Sequence, residues 1–145
     1  LIHFFTEEVD FNHSILSPAI PWIEKAILNE GYTLENLNYI FCSDAYLLQI
    51  NILYLQHDYF TDIITFDNSE FSLSLDGDIF ISIERVDDNS QSEQTTFFHE
   101  LLRVIIHGAL HLMGYDDKDT FSKSTMRKME DKYLDLYFQD FHIDK

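Results

Sequence analysis

Apolar positions recur along the chain first with period two and then with period 3.6, so strands and helices are predicted in alternation. Near the start "IHFF" reads as a short strand. Ser17 and Pro18 then supply a cap and a first-turn proline for a helix that carries Trp22, Ile23, Ala26 and Ile27 on one side and ends at Gly31. "LNYIFCS" is a second strand, Ser43 and Asp44 open a helix through about Tyr54, and "HDYFTD" is a loop before the strand "IITF". The pair "DG" at Asp76 and Gly77 precedes a further strand, "DIFISI". Ser90 stands three positions before Glu93, the spacing of a capping box, and opens a long helix ending near Gly114. A last helix, from about Thr120 to Phe138, keeps Met126, Met129, Tyr133, Leu136 and Tyr137 on one face. The pattern predicts an α+β fold, a small mixed sheet of about four strands packed with about four to five helices, in a single domain spanning residues 1–145.

The long helix departs from the usual amphipathic pattern. Phe97, Leu101, Leu102, Val104, Ile105, Ile106, Ala109 and Leu110 spread around nearly its whole circumference, which makes it the central buried helix of the domain. One stripe is polar: Thr96, Glu100, Arg103, His107 and His111 fall within roughly 80° of one another at 100° per residue. Polar groups on such a stripe need partners. A salt bridge between Glu100 and Arg103 is expected, since Glu100 lies roughly 10 Å up the axis from His107.

Two histidines at i and i+4 stack on one face about 6 Å apart, close enough to share one metal ion. Gly114 can stop the helix in the left-handed conformation, and the chain then turns back so that Asp117 approaches the same point. His107, His111 and Asp117 are therefore candidate ligands for one divalent ion, zinc, at the end of the central helix, with an open position for water. The layout is that of the metzincin signature with a carboxylate in third place. The residue after the first histidine, a general base in H-E-x-x-H proteases, is Gly108 here and cannot take a proton. No general base is assigned; Asp116 and Asp62 are candidates, for each of which capping or a turn is the better reading.

Composition narrows the function classes. The formal net charge of −17 speaks against a general nucleic-acid binder, yet Lys118, Lys123, Arg127, Lys128 and Lys132 fall in one short segment just after the histidines. Their plainer reading is a solvated helix face pairing with Glu130 and Asp131. The chain has one cysteine, Cys42, in an apolar run, where a lone thiol serves as a small buried hydrophobe. No run suits a membrane span and the start lacks the layout of a signal peptide, so a cytoplasmic protein is expected.

The segment "HGALHLMGYDD" resembles the H-G-x-L-H-L-x-G-Y-D-H motif of the YbeY family, bacterial metal-dependent endoribonucleases linked to ribosomal RNA maturation and associated with zinc. Further upstream, "LQINILYLQHDYFTDIITF" resembles the family's L-N-x-x-Y-R-x-x-D-x-x-T-D-V-L-S-F block, with Asn51, Tyr54, Asp58, Thr61, Asp62 and Phe66 in place. "GDIFIS" from Gly77 and "HEL" from His99 resemble its G-D-I-x-I-S and R-E-L segments, and Met126 with Glu130 suits its last helix. Two positions depart from the pattern: the third histidine is Asp117 and the arginine after the tyrosine is Leu55. Aspartate remains a good zinc ligand and tilts the site toward harder ions, whereas leucine cannot hold a phosphate as arginine would. Arg103, on the histidine stripe, is a candidate substitute. The resemblance implies a zinc-dependent endoribonuclease of ribosomal RNA processing and ribosome quality control. Its partners would be single-stranded or ribosomal RNA and the small ribosomal subunit or assembly factors, with no membrane or DNA partner. The other readings are a zinc metallopeptidase-like hydrolase and a ribosome-assembly binding protein with a structural metal.

Overall fold

In the computed structural model, which describes residues 1–141, strands β1 (Ile2–Glu7), β2 (Thr33–Cys42), β3 (Ile63–Asp67) and β4 (Ser74–Ser82) form a sheet in the order β1-β2-β4-β3. β1 and β4 both run parallel to β2, and β3 closes one edge antiparallel to β4. The helices are α1 (Ile20–Asn29), α2 (Asp44–Leu55), α3 (Ile83–Ser92), α4 (Phe97–Leu112) and α5 (Thr120–Leu136). The α+β architecture with a small mixed sheet is as the sequence pattern predicts.

Successive strand residues point to opposite faces, and β4 uses both. Ile79 and Ile81 turn into the main core with α1, α4 and α5, while Phe80 joins Cys42, Leu47 and Ile64 under α2 on the other face. Tyr39 of β2 reaches across the main core to donate its hydroxyl to the Ile105 carbonyl of α4 at 2.9 Å. Cys42 is buried, its thiol donates to the Ile81 carbonyl at 3.5 Å, and burial with nearby carboxylates pushes its pKa up to about 12. That is the inert thiol expected. No described helix is long and apolar enough to cross a membrane.

Several element boundaries differ from the sequence pattern. Ser17 and Pro18 lie inside a 3-10 helix, His13–Ala19, capped by Asn12, and the first α-helix begins only at Ile20 with Pro21 in its first turn. Asp76 and Gly77 sit within β4 rather than before it. Ser90 does not open the long helix. It belongs to the separate helix α3, where its hydroxyl donates to the Asp87 carbonyl, and α4 is capped instead by Thr96, which accepts from the His99 N–H at 3.1 Å. α3 buries only Val86 and Ser90, too little apolar surface to register as a helical period.

The central helix lies close to the sheet because glycine occupies both sides of the contact. A Cβ on Gly77 would stand 2.5 Å from the Phe66 carbonyl oxygen and 3.1 Å from a Leu112 methyl. On the helix, a Cβ on Gly108 would meet Ile79 at 2.9 Å and Ile63 at 3.0 Å. The Gly77 contact is with backbone that cannot yield without moving β3, whereas the Gly108 contacts are with side chains. Gly77→Ala should therefore destabilise by about 2–3 kcal/mol as overpacking. Gly108→Ala should cost less, because about 1 kcal/mol of helix propensity is regained. Urea unfolding checks the order; a Gly77→Ala variant as stable as the parent contradicts the close approach.

Candidate active site

Arg103 and His107 descend the polar stripe of α4 and end on α5, not on one another. Arg103 does not pair with Glu100 as expected: Nη1 donates to Glu130 Oε1 and Nη2 to Asp131 Oδ1, each at 2.9 Å. The other oxygen of Glu130 takes His107, whose Nδ1 lies 2.7 Å away. The carboxylate draws the ring proton to Nδ1, which leaves Nε2 facing Asp117 Oδ2 at 3.4 Å. Burial by itself would depress the His107 pKa, but the hydrogen bond and charge of Glu130, with the charges of Asp117 and Asp62, outweigh it and leave it raised.

Asp117 is brought there by a turn fixed at both ends. Gly114, at φ +101°, ends α4 in a Schellman motif: its N–H donates to the His111 carbonyl and the Tyr115 N–H to that of Leu110, both at 3.1 Å. Tyr115 donates its hydroxyl to Glu30 Oε1 at 2.8 Å, and Tyr133 donates to the other oxygen. Two residues beyond Asp117, Asp119 opens α5 with a capping box to Ser122. Asp116 accepts the Asp117 N–H at 2.7 Å, the turn role expected of it, and Asp62 accepts from the Asn89 side chain at 3.3 Å.

The sequence candidates are thus partly assembled. His107 and Asp117 face each other, and His111, exposed, lines the same cavity of about 670 Å³. Among the described residues no three His, Cys, Asp or Glu side chains are gathered closely enough to hold an ion as they stand. The pair itself fits one: two ligands at about 2.0–2.2 Å from a tetrahedral ion lie roughly 3.4 Å apart, and a carboxylate on the far nitrogen is how ligating histidines are oriented. A protonated His107 would make the same contact as an ion pair.

Other side chains line the cavity or stand near it. Leu55 lines it where the resembling motif has arginine. Arg103 also lines it but is spent on Glu130 and Asp131, so Arg127, half-exposed and held at 3.3 Å from Glu93, is the available guanidinium. With Lys123 it flanks a hollow beside His107 and Asp117, while Lys132 lies over the Tyr133 ring. Glu100, 6% exposed, opens its carboxylate onto the cavity, and neither oxygen makes a hydrogen bond or ion pair to a described residue. The sequence pattern missed the role of Glu130. Its signal was a carboxylate on the buried face of α5, in line with Met126, Tyr133 and Leu134.

A sequence model of the YbeY family, described as Endoribonuclease YbeY, matches residues 5–137. The Endoribonuclease YbeY of Cytophaga hutchinsonii is 50% identical over 135 residues, covering 93% of this chain and 94% of that protein. That of Amoebophilus asiaticus is 44% identical over 133 residues, covering 92% and 90%. The solution structure of TM1509 from Thermotoga maritima superposes with a TM-score of 0.71 at 26% identity, covering 96% of this chain and 91% of that one.

The unpartnered Glu100 gives a stability test. Burial raises its pKa, opposed by Arg103 and Arg127 and reinforced by Glu93 and Asp62. A carboxyl whose folded pKa is raised contributes most below its unfolded pKa, near pH 4, and that contribution is lost as pH rises through the folded value. Glu100→Gln escapes the loss. Its melting temperature should match the parent near pH 4 and exceed it at pH 7–8, by about 2–4 °C for each kcal/mol regained. A variant less stable than the parent at pH 8 contradicts the reading.

Proposed function

The chain belongs to the YbeY family of endoribonucleases, and on that premise we propose that it cleaves ribosomal RNA in the cytoplasm with one divalent ion, zinc, held by His107, His111 and Asp117. The observation that carries the metal reading is the His107–Asp117 pair, 3.4 Å apart, with Glu130 behind the ring. Glu130 holds Nδ1–H, so Nε2 is presented as a donor of the right tautomer. The Schellman turn and the Asp119 cap hold Asp117 opposite it. His111, exposed on the last turn of α4, completes the set by a side-chain rotation.

A divalent ion in that position supplies Lewis acidity toward a phosphodiester oxygen and acidifies water. The protein's own part is to bind and orient the RNA. Arg127 and Lys123 stand beside the His107–Asp117 pair and can each take a phosphate oxygen, the task for which Leu55 is unfit. The hydroxyl of Thr61 and the amide of Asn51 add neutral hydrogen-bonding groups to the same cavity. Association with the small ribosomal subunit or its assembly factors is a natural extension of an RNA substrate of this kind. The peptidase alternative lacks a general base next to the first histidine, and the close packing of Gly108 on Ile79 and Ile63 leaves no room for one.

Purified protein should carry about one divalent ion per chain by elemental analysis, and His107→Ala with His111→Ala should remove it. RNA hydrolysis should fall by at least about a hundredfold in that double variant, with casein untouched by either protein. Unchanged metal content, or undiminished RNA cleavage, in the double variant contradicts the assignment.

A further inference from the structure

We propose that the cavity above the His107–Asp117 pair holds an unstacked guanine of the RNA, read by the Glu100 carboxylate beside the aromatic rings of His57 and Tyr59. The inference rests on the nuclease reading for the presence of RNA and adds a base preference to it.

Three observations carry it. First, the Glu100 side chain belongs to a residue only 6% exposed and lies on the cavity wall, where neither carboxylate oxygen bonds a described residue and both stay open to the cavity. An acceptor that faces a cavity is satisfied by what fills it; Arg103 is held by Glu130 and Asp131, and Arg127, 3.3 Å from Glu93, flanks the hollow beside His107 and Asp117. A ligand that brings donors would complete the set. Second, the cavity of about 670 Å³ lies within the range of sites for small organic groups, about 300–1,000 Å³. Third, His57 and Tyr59 line it as a nearly parallel pair, with ring centroids 5.1 Å apart and tilted by 17°, locked by a 3.0 Å contact between the Tyr59 hydroxyl and His57 Nδ1. Single-stranded RNA is recognised by stacking splayed bases on such rings and bonding their Watson–Crick edges.

The chemistry of the edge selects the base. An ionised carboxylate only accepts hydrogen bonds, through two oxygens. Guanine offers two donors side by side, N1–H and the N2 amino group, one for each oxygen. Adenine and cytosine offer one amino group beside a ring nitrogen that accepts and would oppose the second oxygen, and uracil flanks its single N–H with carbonyls. Burial that raises the Glu100 pKa makes the empty site costly to ionise, and two N–H donors compensate that charge. The position also suits one nucleotide: Glu100 lies seven residues before His107 on the same stripe, roughly 10 Å along the axis, so base and phosphate can be held at the two ends.

The test titrates fluorescein-labelled, 2′-O-methylated nonamers of uridine carrying one central guanosine or one central inosine, which lacks only the N2 amino group. Anisotropy should show the parent binding the guanosine strand about tenfold more tightly than the inosine strand. In Glu100→Gln the ratio should collapse to within about twofold, because the amide opposes one of the two donors. Circular dichroism establishes that the variant folds, and the inosine comparison on the parent needs no variant. Equal binding of the two strands by the parent, or a preference that survives Glu100→Gln, overturns the proposal. The unmethylated guanosine strand separates the two readings. Guanosine preference without hydrolysis sinks the nuclease reading and leaves the pocket, whereas hydrolysis without preference sinks the pocket alone.

Discussion

One carboxylate, Glu130, holds the working end of the molecule together. It is nearly buried on α5 and divides its two oxygens between Arg103 and His107 of α4, at 2.9 and 2.7 Å. The central helix is apolar almost all round, so its polar stripe has to be satisfied from outside itself, and this residue does most of it. Removing one partner of a buried charged pair typically costs about 3–5 kcal/mol, because the other is left uncompensated. The same contact sets the tautomer of His107 and fixes where α5 runs. Glu130 therefore controls both the direction of Nε2 and the placement of Lys123 and Arg127 beside it.

The second constraint is distance. Gly77 and Gly108 let α4 settle onto β3 and β4 more closely than side chains would allow, and the helix then ends in a turn whose geometry is set by Gly114. Asp117 is carried to the imidazole by backbone hydrogen bonds and by the anchoring of Tyr115 on Glu30 rather than by any affinity of its own. An acidic protein with formal net charge −17 can meet a polyanion in this way, because repulsion between exposed charges is screened beyond about 8–10 Å while Lys123 and Arg127 act at contact.

What could be read from the sequence divides by range. The i, i+4 histidines, the helix-stopping glycine and the carboxylate three positions on are local features, and the chain does bring His107 opposite Asp117. The polar stripe was equally legible, since it depends only on helical periodicity. Its partners were not: Arg103 answers to a residue 27 positions away, and proximity along the chain made Glu100 the more obvious choice. Helix α3 leaves no periodic signal because it buries little apolar surface, and a DG pair that marks turns elsewhere is here part of a strand because a neighbouring carbonyl requires glycine. His111 lay within reach by spacing, but whether its exposed ring joins the pair is a matter of rotamer, which spacing does not fix.

The claim that this end of the molecule is a metal-dependent nuclease centre turns on what surrounds the ion. X-ray absorption at the zinc edge, on protein loaded with one equivalent, reads that shell directly. The account predicts imidazole nitrogens from two histidines at about 2.0–2.1 Å, a carboxylate oxygen at about 2.0–2.2 Å and no sulfur. A shell of oxygens without imidazole scattering, or protein that retains no zinc, would contradict it.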